Sequence, residues 1–377
     1  MQQLSVIPPD RLYSFAKQAD LLANPSEPPP SIEAHQIPAT DVLDHSGTIH
    51  ALSGFRLSTT TSFQLKIPKA LVWGTNLGII FDGHMLPGGF SHQHVWAEDG
   101  RGNNNLSGRL QLPDGPIIDT PFASAQLMGF SSHWGHFFTD CLDRMLASHR
   151  AGELHIPMVT DNKGPCDPAM QILSASGYID QPIEVWPLQK HAFYHFKELR
   201  LHTLTSQKPA APVGSLLALR AQLRKHSQKC HPIDKVLFVG REDVKVRKVL
   251  GQAALQEELE RRQLADVVHP ERIGPDQSIS LFRDCTKILM PIGSAKFNLT
   301  FCEPGTQIVC IAPRNYAEGN GGVCQMLRHM CASLDLRLRF YACRSTPSQG
   351  PRSHMLLHDD LLIDGADIDP MLSLFEY

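Results

Sequence analysis

No run of about 18 uninterrupted apolar residues occurs in the chain, so the sequence offers no membrane span. No C-x-x-C occurs either, and the nine cysteines are odd in number and irregularly spaced. Several sit among apolar neighbours, such as Cys285 in "LFRDCTKIL" and Cys310 in "IVCIAP". That pattern fits buried free thiols in a reducing compartment and argues against a disulfide framework. Charge of neither sign is in excess: 35 Lys and Arg stand against 38 Asp and Glu, for a formal net charge of −3. Such a balance gives no basic face for nucleic acid and no disordered acidic tail. The opening stretch "MQQLSVIPPD" lacks a basic segment followed by an apolar one, so no secretory signal is expected. No G-x-G-x-x-G follows a strand, which leaves a dinucleotide oxidoreductase poorly supported. No G-x-S-x-G nucleophile elbow occurs, which disfavours an α/β-hydrolase. No repeat returns at a fixed period. A soluble cytoplasmic protein is the simplest expectation from these absences.

The length of 377 residues is more than one core usually organises, and suggests two domains of roughly 150–200 residues each. Residues 1–35 are rich in proline and polar groups ("NPSEPPPS") and read as a loosely packed arm. Residues 36–205 read as an N-terminal domain that opens with strands and turns. A helix is expected over 132–148, with Ser131 or Ser132 as its cap, and an α/β rhythm follows it. "SQKPAAPVG" at 206–214 reads as a linker. Residues 215–345 then alternate short apolar strands with helices, the pattern of a parallel sheet covered on both faces. Residues 346–377 form a tail that could pack back on the N-terminal domain. Nineteen histidines make the charge more positive as pH falls towards 6.

Three stretches have residues suited to chemistry. "SSHWGHFFTDCLDRM" places His136, Asp140 and Arg144 at i, i+4 and i+8, on one helical face. Asp143 lies beside them, and Phe137, Phe138, Cys141, Leu142 and Met145 form an apolar stripe opposite. A histidine with a carboxylate one turn away suits a general base, whereas the bland alternative is a solvated face of ion pairs. The second stretch, "KVLFVGREDVKVRKV", runs a strand into Gly240 and Arg241, then Lys245, Arg247 and Lys248. Cations at the carboxyl end of a parallel strand suit an anionic ligand, with a solvated basic turn as the alternative. The third is "KILMPIGSAKFNLTFCEPGTQIVCIAP", where Gly293 and Ser294 turn a buried strand into a short helix. Its first N–H groups favour phosphate, Lys296 adds charge and Asn298 lies one turn in; a tight strand–helix connection is the alternative.

In this order and spacing the three stretches resemble glycosyltransferase family 61. Members carry a helix of the form Y-x-H-(F/W)-x-x-(D/E) with a later L-x-R, a strand ending in arginine, a second arginine, and G-(A/S)-x-x-x-N-x-x-F-x-x-P-G-T. Here the matching residues are Trp134, His136, Phe137, Asp140, Leu142 and Arg144, then Gly240, Arg241 and Arg247. Gly293, Ser294, Asn298, Phe301, Pro304, Gly305 and Thr306 complete the match, over about 133–316. Three positions depart from common members: Ile292 where a histidine is usual, Cys310 where a glutamate is, and Asp143 where a proline is. The resemblance implies an α/β, GT-B-like fold, two Rossmann-like domains facing a cleft, the N-terminal one with additional β-strands. It implies inverting transfer from a nucleotide sugar, often UDP-linked, to a hydroxyl of a glycan or glycolipid acceptor. Bacterial relatives serve capsule or lipopolysaccharide assembly, which fits a cytoplasmic chain with at most peripheral membrane association. Asp140 ranks slightly ahead of His136 as the base, with Arg144 in support. Arg241, Arg247, Gly293, Ser294 and Asn298, helped by Lys245 and Lys296, would hold the donor, with Glu303 on its ribose. No cofactor and no metal is called for, and no nucleic-acid partner.

Weaker signals point elsewhere. Asp367 and Asp369 have the D-x-D spacing that can share a hard cation, although a turn or helix cap explains them more simply. His92 and His94, with His84 nearby, could bind a transition metal but have no evident third ligand. Asn105 and Asn298 begin sequons that a cytoplasmic chain would not glycosylate. The rival from another class is a catalytically inactive glycosyltransferase-like protein that binds nucleotide or glycan, and Ile292 is the residue that favours it.

Overall fold

The computed structural model describes residues 3–7, 11–26, 28–74, 77–86, 109–111, 114–129, 134–204, 210–226, 233–241, 247–317, 322–347 and 359–376. The fold is mixed α/β. The chain divides into two compact units, one of residues 1–33 and 58–208, the other of 34–57 and 209–377. The boundary at 208 falls in the proline-containing stretch read as a linker.

The first unit is built on a ten-stranded sheet. Five of its strands position the candidate site: β1 (Gln64–Trp73), β2 (Ala125–Gly129), β3 (Met158–Thr160), β4 (Val185–Pro187) and β5 (Phe193–His202). β2, β3 and β4 pair in parallel in that order, and β5 lies parallel on the other side of β2. The strand order therefore reverses between β2 and β5. β1 pairs antiparallel with β5 and opens the mainly antiparallel half of the sheet. The arm expected at residues 1–35 is largely structured. Strand Gln3–Val6 pairs with His84–Leu86 and Arg109–Gln111, and Leu12, Ala16, Leu21 and Leu22 are in the core. Leu12 and Ala16 are one helical turn apart, a signal that the nearby prolines obscured.

The second unit carries β6 (Ile233–Val239), β7 (Ala265–Val268), β8 (Cys285–Pro291), β9 (Gln307–Pro313) and β10 (Arg337–Thr346). They are parallel, in the order β7-β6-β8-β9-β10. β8 and β9 are almost wholly buried, which is why "KILMP" and "IVCIA" read as unbroken apolar runs. Helices Gln252–Arg261 and Ile368–Ser373 supply Leu255, Leu259, Ile368 and Met371 to one core cluster. The order is that of a doubly wound sheet of the 2-1-3-4-5 kind, and it reverses between β6 and β8.

Two placements differ from the sequence reading. The tail belongs to this second unit: Asp360–Leu362 pairs antiparallel with β10, and Ile368, Met371, Leu374 and Phe375 are in its core. Residues 34–57 also join it, because strand Thr40–Asp44 pairs in parallel with β10. Arg328 fastens that insert, donating to the carbonyl oxygens of Pro38 at 2.8 Å and Ser53 at 2.7 Å.

The β2-to-β3 crossover contains the first motif. Its helical rod has an α turn at Trp134–His136, a π segment at Phe137–Cys141 and an α-helix at Leu142–Arg150. Arg144 is buried there and donates from Nε to the His202 carbonyl at 3.0 Å and from Nη1 to the Met128 carbonyl at 3.4 Å. It thus bridges the ends of β2 and β5 where they part. Burial pulls its guanidinium below the usual arginine range, opposed by Cys141, Asp140 and Asp143. We expect Arg144→Leu to lower stability by about 1–3 kcal/mol for each carbonyl left unpaired. A denaturant midpoint equal to wild type would contradict this bridging role.

Candidate active site

The first site group stands at the carboxyl end of β2, beside the strand-order reversal. Asp140 Oδ2 accepts a hydrogen bond from His136 Nδ1 at 2.9 Å. The Asp140 side chain is fully buried (0 % exposed), whereas that of His136 is 37 % exposed. A carboxylate can only accept, so Nδ1 carries the proton and Nε2 is the basic nitrogen of the ring. The solvated-face alternative is overturned, since every residue from Phe137 to Ser148 is buried. The opposed apolar and polar faces expected of one regular helix are overturned with it, because the π segment intervenes. Single π turns inside α-helices recur at functional sites. Of the two candidate bases, Asp140 has no exposed side-chain surface and His136 has some. Burial, reinforced by Asp140, pushes the neighbouring Cys141 thiol well up, so that cysteine is neutral. Ser131 and Ser132 lie outside the described residues.

The second group gathers at the reversal between β6 and β8. Arg241 follows β6, and its Nη1 donates to the Ile292 carbonyl, just past β8, at 3.0 Å. Gly293 makes that approach possible. A Cβ on Gly293 would lie 1.9 Å from Arg241 Nη1. The second and third motifs, 51 residues apart in sequence, are therefore in direct contact. Ser294 then opens a 3-10 helix, Ser294–Phe301, at the carboxyl end of the sheet. Ile292 is fully buried, and its own N–H donates to the Ile311 carbonyl at 2.8 Å.

Lys296 and Asn298 are both buried within that helix. Lys296 Nζ lies 4.4 Å from the centroid of the Phe297 ring. Arg247 adopts a left-handed φ of 54°, costly for a residue with a side chain and frequent at functional turns. Burial pushes Cys324 up to about 12, and the charges of Lys296 and Arg247 act against that rise. Those two cations therefore share one neighbourhood. Lys245 lies outside the described residues.

Glu303 is placed elsewhere. It follows the 3-10 helix, whose eight residues span about 16 Å at about 2 Å per residue. It thus lies before β9, at the amino end of the sheet, and accepts from Arg224 Nη2 at 2.6 Å. That position corrects its expected role on the donor ribose. Asp367 and Asp369 have separate partners: Asp367 accepts from the Tyr341 hydroxyl and completes a capping box with Asp364, and Asp369 pairs with Arg262. They do not converge on a cation. His92 and His94 lie outside the described residues, and His84 Nδ1 is 2.7 Å from the Asp82 carbonyl oxygen. Among the described residues no group of three or more His, Cys, Asp or Glu side chains could hold a metal ion.

Three residues at the β6–β8 site went unremarked in the sequence. His269 follows β7, and a Cβ on Gly240 would lie 2.3 Å from its Cε1. Gln252 Oε1 accepts from the Arg241 backbone N–H at 2.8 Å, and Gln256 Nε2 lies 3.2 Å from His269 Nε2. Only the position of "HP" at a strand's carboxyl end could have flagged the histidine.

Gly293→Ala should leave the thermal midpoint near wild type, because the flexible end of Arg241 can swing away. Binding of inorganic pyrophosphate should weaken about tenfold or more, one charge-assisted hydrogen bond being about 1.5–3 kcal/mol. Gly251→Ala is the contrasting control. There φ is +93° and a Cβ would lie 2.0 Å from the Ile363 carbonyl oxygen, so the fold itself should lose stability. Equal effects of the two substitutions would contradict the role given to Gly293.

The sequence profile of the family described as Glycosyltransferase 61 matches residues 134–309. No curated protein matches the chain.

Proposed function

The chain belongs to glycosyltransferase family 61 and is a glycosyltransferase, and from that premise we propose inverting transfer of a sugar from a UDP-linked donor to a glycan or glycolipid hydroxyl. The observation that carries the proposal is the His136–Asp140 pair, a buried carboxylate holding a half-exposed imidazole by Nδ1. His136 Nε2 takes the proton of the acceptor hydroxyl as its oxygen attacks the anomeric carbon. Asp140 fixes the tautomer and offsets the charge of the imidazolium, the role of the buried aspartate in other histidine-based sites. The bond from the anomeric carbon to the phosphate oxygen breaks on the opposite face, and the nucleoside diphosphate leaves with the electron pair.

The departing diphosphate gains negative charge. Arg241, Arg247 and the N–H groups at Ser294 are placed to stabilise it electrostatically, which supports transfer that does not depend on a metal. A GT-B arrangement is part of the proposal, with the first unit supplying the base and the second holding the donor. A parallel sheet segment with a strand-order reversal in each unit supports it. Cytoplasmic polysaccharide assembly, with at most peripheral membrane association, completes it. Eight described cysteines are free thiols, seven of them buried, in keeping with a reducing compartment. Among the described residues no helix is long and apolar enough to cross a membrane.

Asp140→Asn is expected to lower kcat by about 10⁴, as in histidine sites that lose the orienting carboxylate. His136→Ala should abolish transfer and leave UDP affinity unchanged, while Arg241→Ala should weaken UDP with or without EDTA. Isothermal titration with UDP and a UDP-sugar turnover assay separate the three. Full activity in His136→Ala would remove the base from this account, and a UDP affinity abolished by EDTA would restore a metal.

A further inference from the structure

In a doubly wound sheet the phosphates lie at the reversal, and an acidic residue after the second strand of the first βαβ unit hydrogen-bonds the ribose hydroxyls. In the second unit that βαβ unit is β6, helix Gln252–Arg261 and β7. β7 ends at Val268 and continues through His269 and Pro270 to Glu271. Glu271 is half-exposed, and its Oε1 lies 3.7 Å from His269 Nδ1. The imidazole is held on two sides. Its ring fills the space that a Gly240 side chain would take, and Gln256 is within hydrogen-bonding distance of Nε2. An amide N–H can only donate, so Nε2 accepts and Nδ1 carries the ring proton, 3.7 Å from the carboxylate and beyond direct hydrogen-bond distance.

The layout of charge separates two halves of a ligand. Arg241 stands at the reversal, on the end of β6. Beyond the end of the neighbouring strand β7, the Glu271 carboxylate would repel phosphate but can accept from a pair of vicinal hydroxyls. We infer that Glu271 is the ribose-binding residue of the donor site and that His269 is its positioning residue. The nucleoside then lies over the end of β7 and the diphosphate over β6 and β8. The inference rests on the transferase reading. It also gives the ribose a partner at the carboxyl end of the sheet, where Glu303 is not.

The test uses the full chain and three probes in isothermal titration: UDP, 2′,3′-dideoxy-UDP and inorganic pyrophosphate. Glu271→Gln should weaken UDP about tenfold and leave the other two within about twofold, because only UDP offers the hydroxyls. His269→Ala should show the same selectivity, and His269→Asn, which keeps an N–H donor, should recover part of the loss. Arg241→Ala should weaken all three. A Glu271→Gln protein that loses all three equally, or none, overturns the inference and leaves the transferase reading standing. Wild-type protein that binds none of the three overturns that reading, and the inference with it.

Discussion

A parallel sheet whose strand order reverses cannot cover both sides of the reversal with crossover helices. The connections leave for opposite faces, and the strand ends between them are left open as a crevice. The second unit is subject to this constraint at β6/β8, and the strand order of the first unit also reverses, at β2/β5. Each crevice exposes backbone that would otherwise lack partners, and each is closed by an arginine. Arg144 ties the ends of β2 and β5 from within. Arg241 ties β6 to the end of β8 and remains partly exposed. The buried arginine is structural and the half-buried one can also meet a ligand, so similar bonding at two reversals serves different ends.

Burial likewise divides the work between His136 and Asp140. An aspartate with no exposed surface is held ionised by its neighbours or not at all, and here its partner is the histidine one turn earlier. Arg144 and Asp143 lie close enough to share the local charge. The π segment carries Asp140 into the packed side of the rod while leaving His136 at the rim. The two side chains still share one face, as the i, i+4 spacing suggests, because they meet at 2.9 Å. The π segment itself is invisible to a 3.6-residue periodicity.

The same limit explains what was legible in the sequence. The second unit reads well because its strands are buried on both faces and its helices are amphipathic, so "KILMP" and "TQIVCIAP" announce themselves. The two motifs at its crevice read as separate stretches, but the contact between Arg241 and Gly293 depends on strand order, which hydrophobic pattern does not encode. Residues 40–52 joined the second unit for the same reason: a strand added to a sheet edge has no local signature of which sheet it joins. His269 and Glu271 follow a four-residue strand and look like any polar turn until β7 is seen beside β6. Glu303 stands at the end of the same short helix as Asn298, yet that 3-10 helix carries it to the far end of the sheet.

The position of Ile292 bears on whether the chain is an enzyme or an inactive relative. Its side chain is buried, but the group that reaches the site is its carbonyl, which accepts from Arg241. Any residue at this position offers that carbonyl, so the exchange of side chain leaves the grip on Arg241 intact. What must be kept is the glycine after it, because the guanidinium occupies the volume of the missing Cβ. Gly293 is kept, as are Arg241, His136 and the fully buried Asp140. A carboxylate buried against an imidazole costs desolvation that its hydrogen bond to the ring offsets. The catalytic reading rests on that carboxylate standing beside a half-exposed histidine.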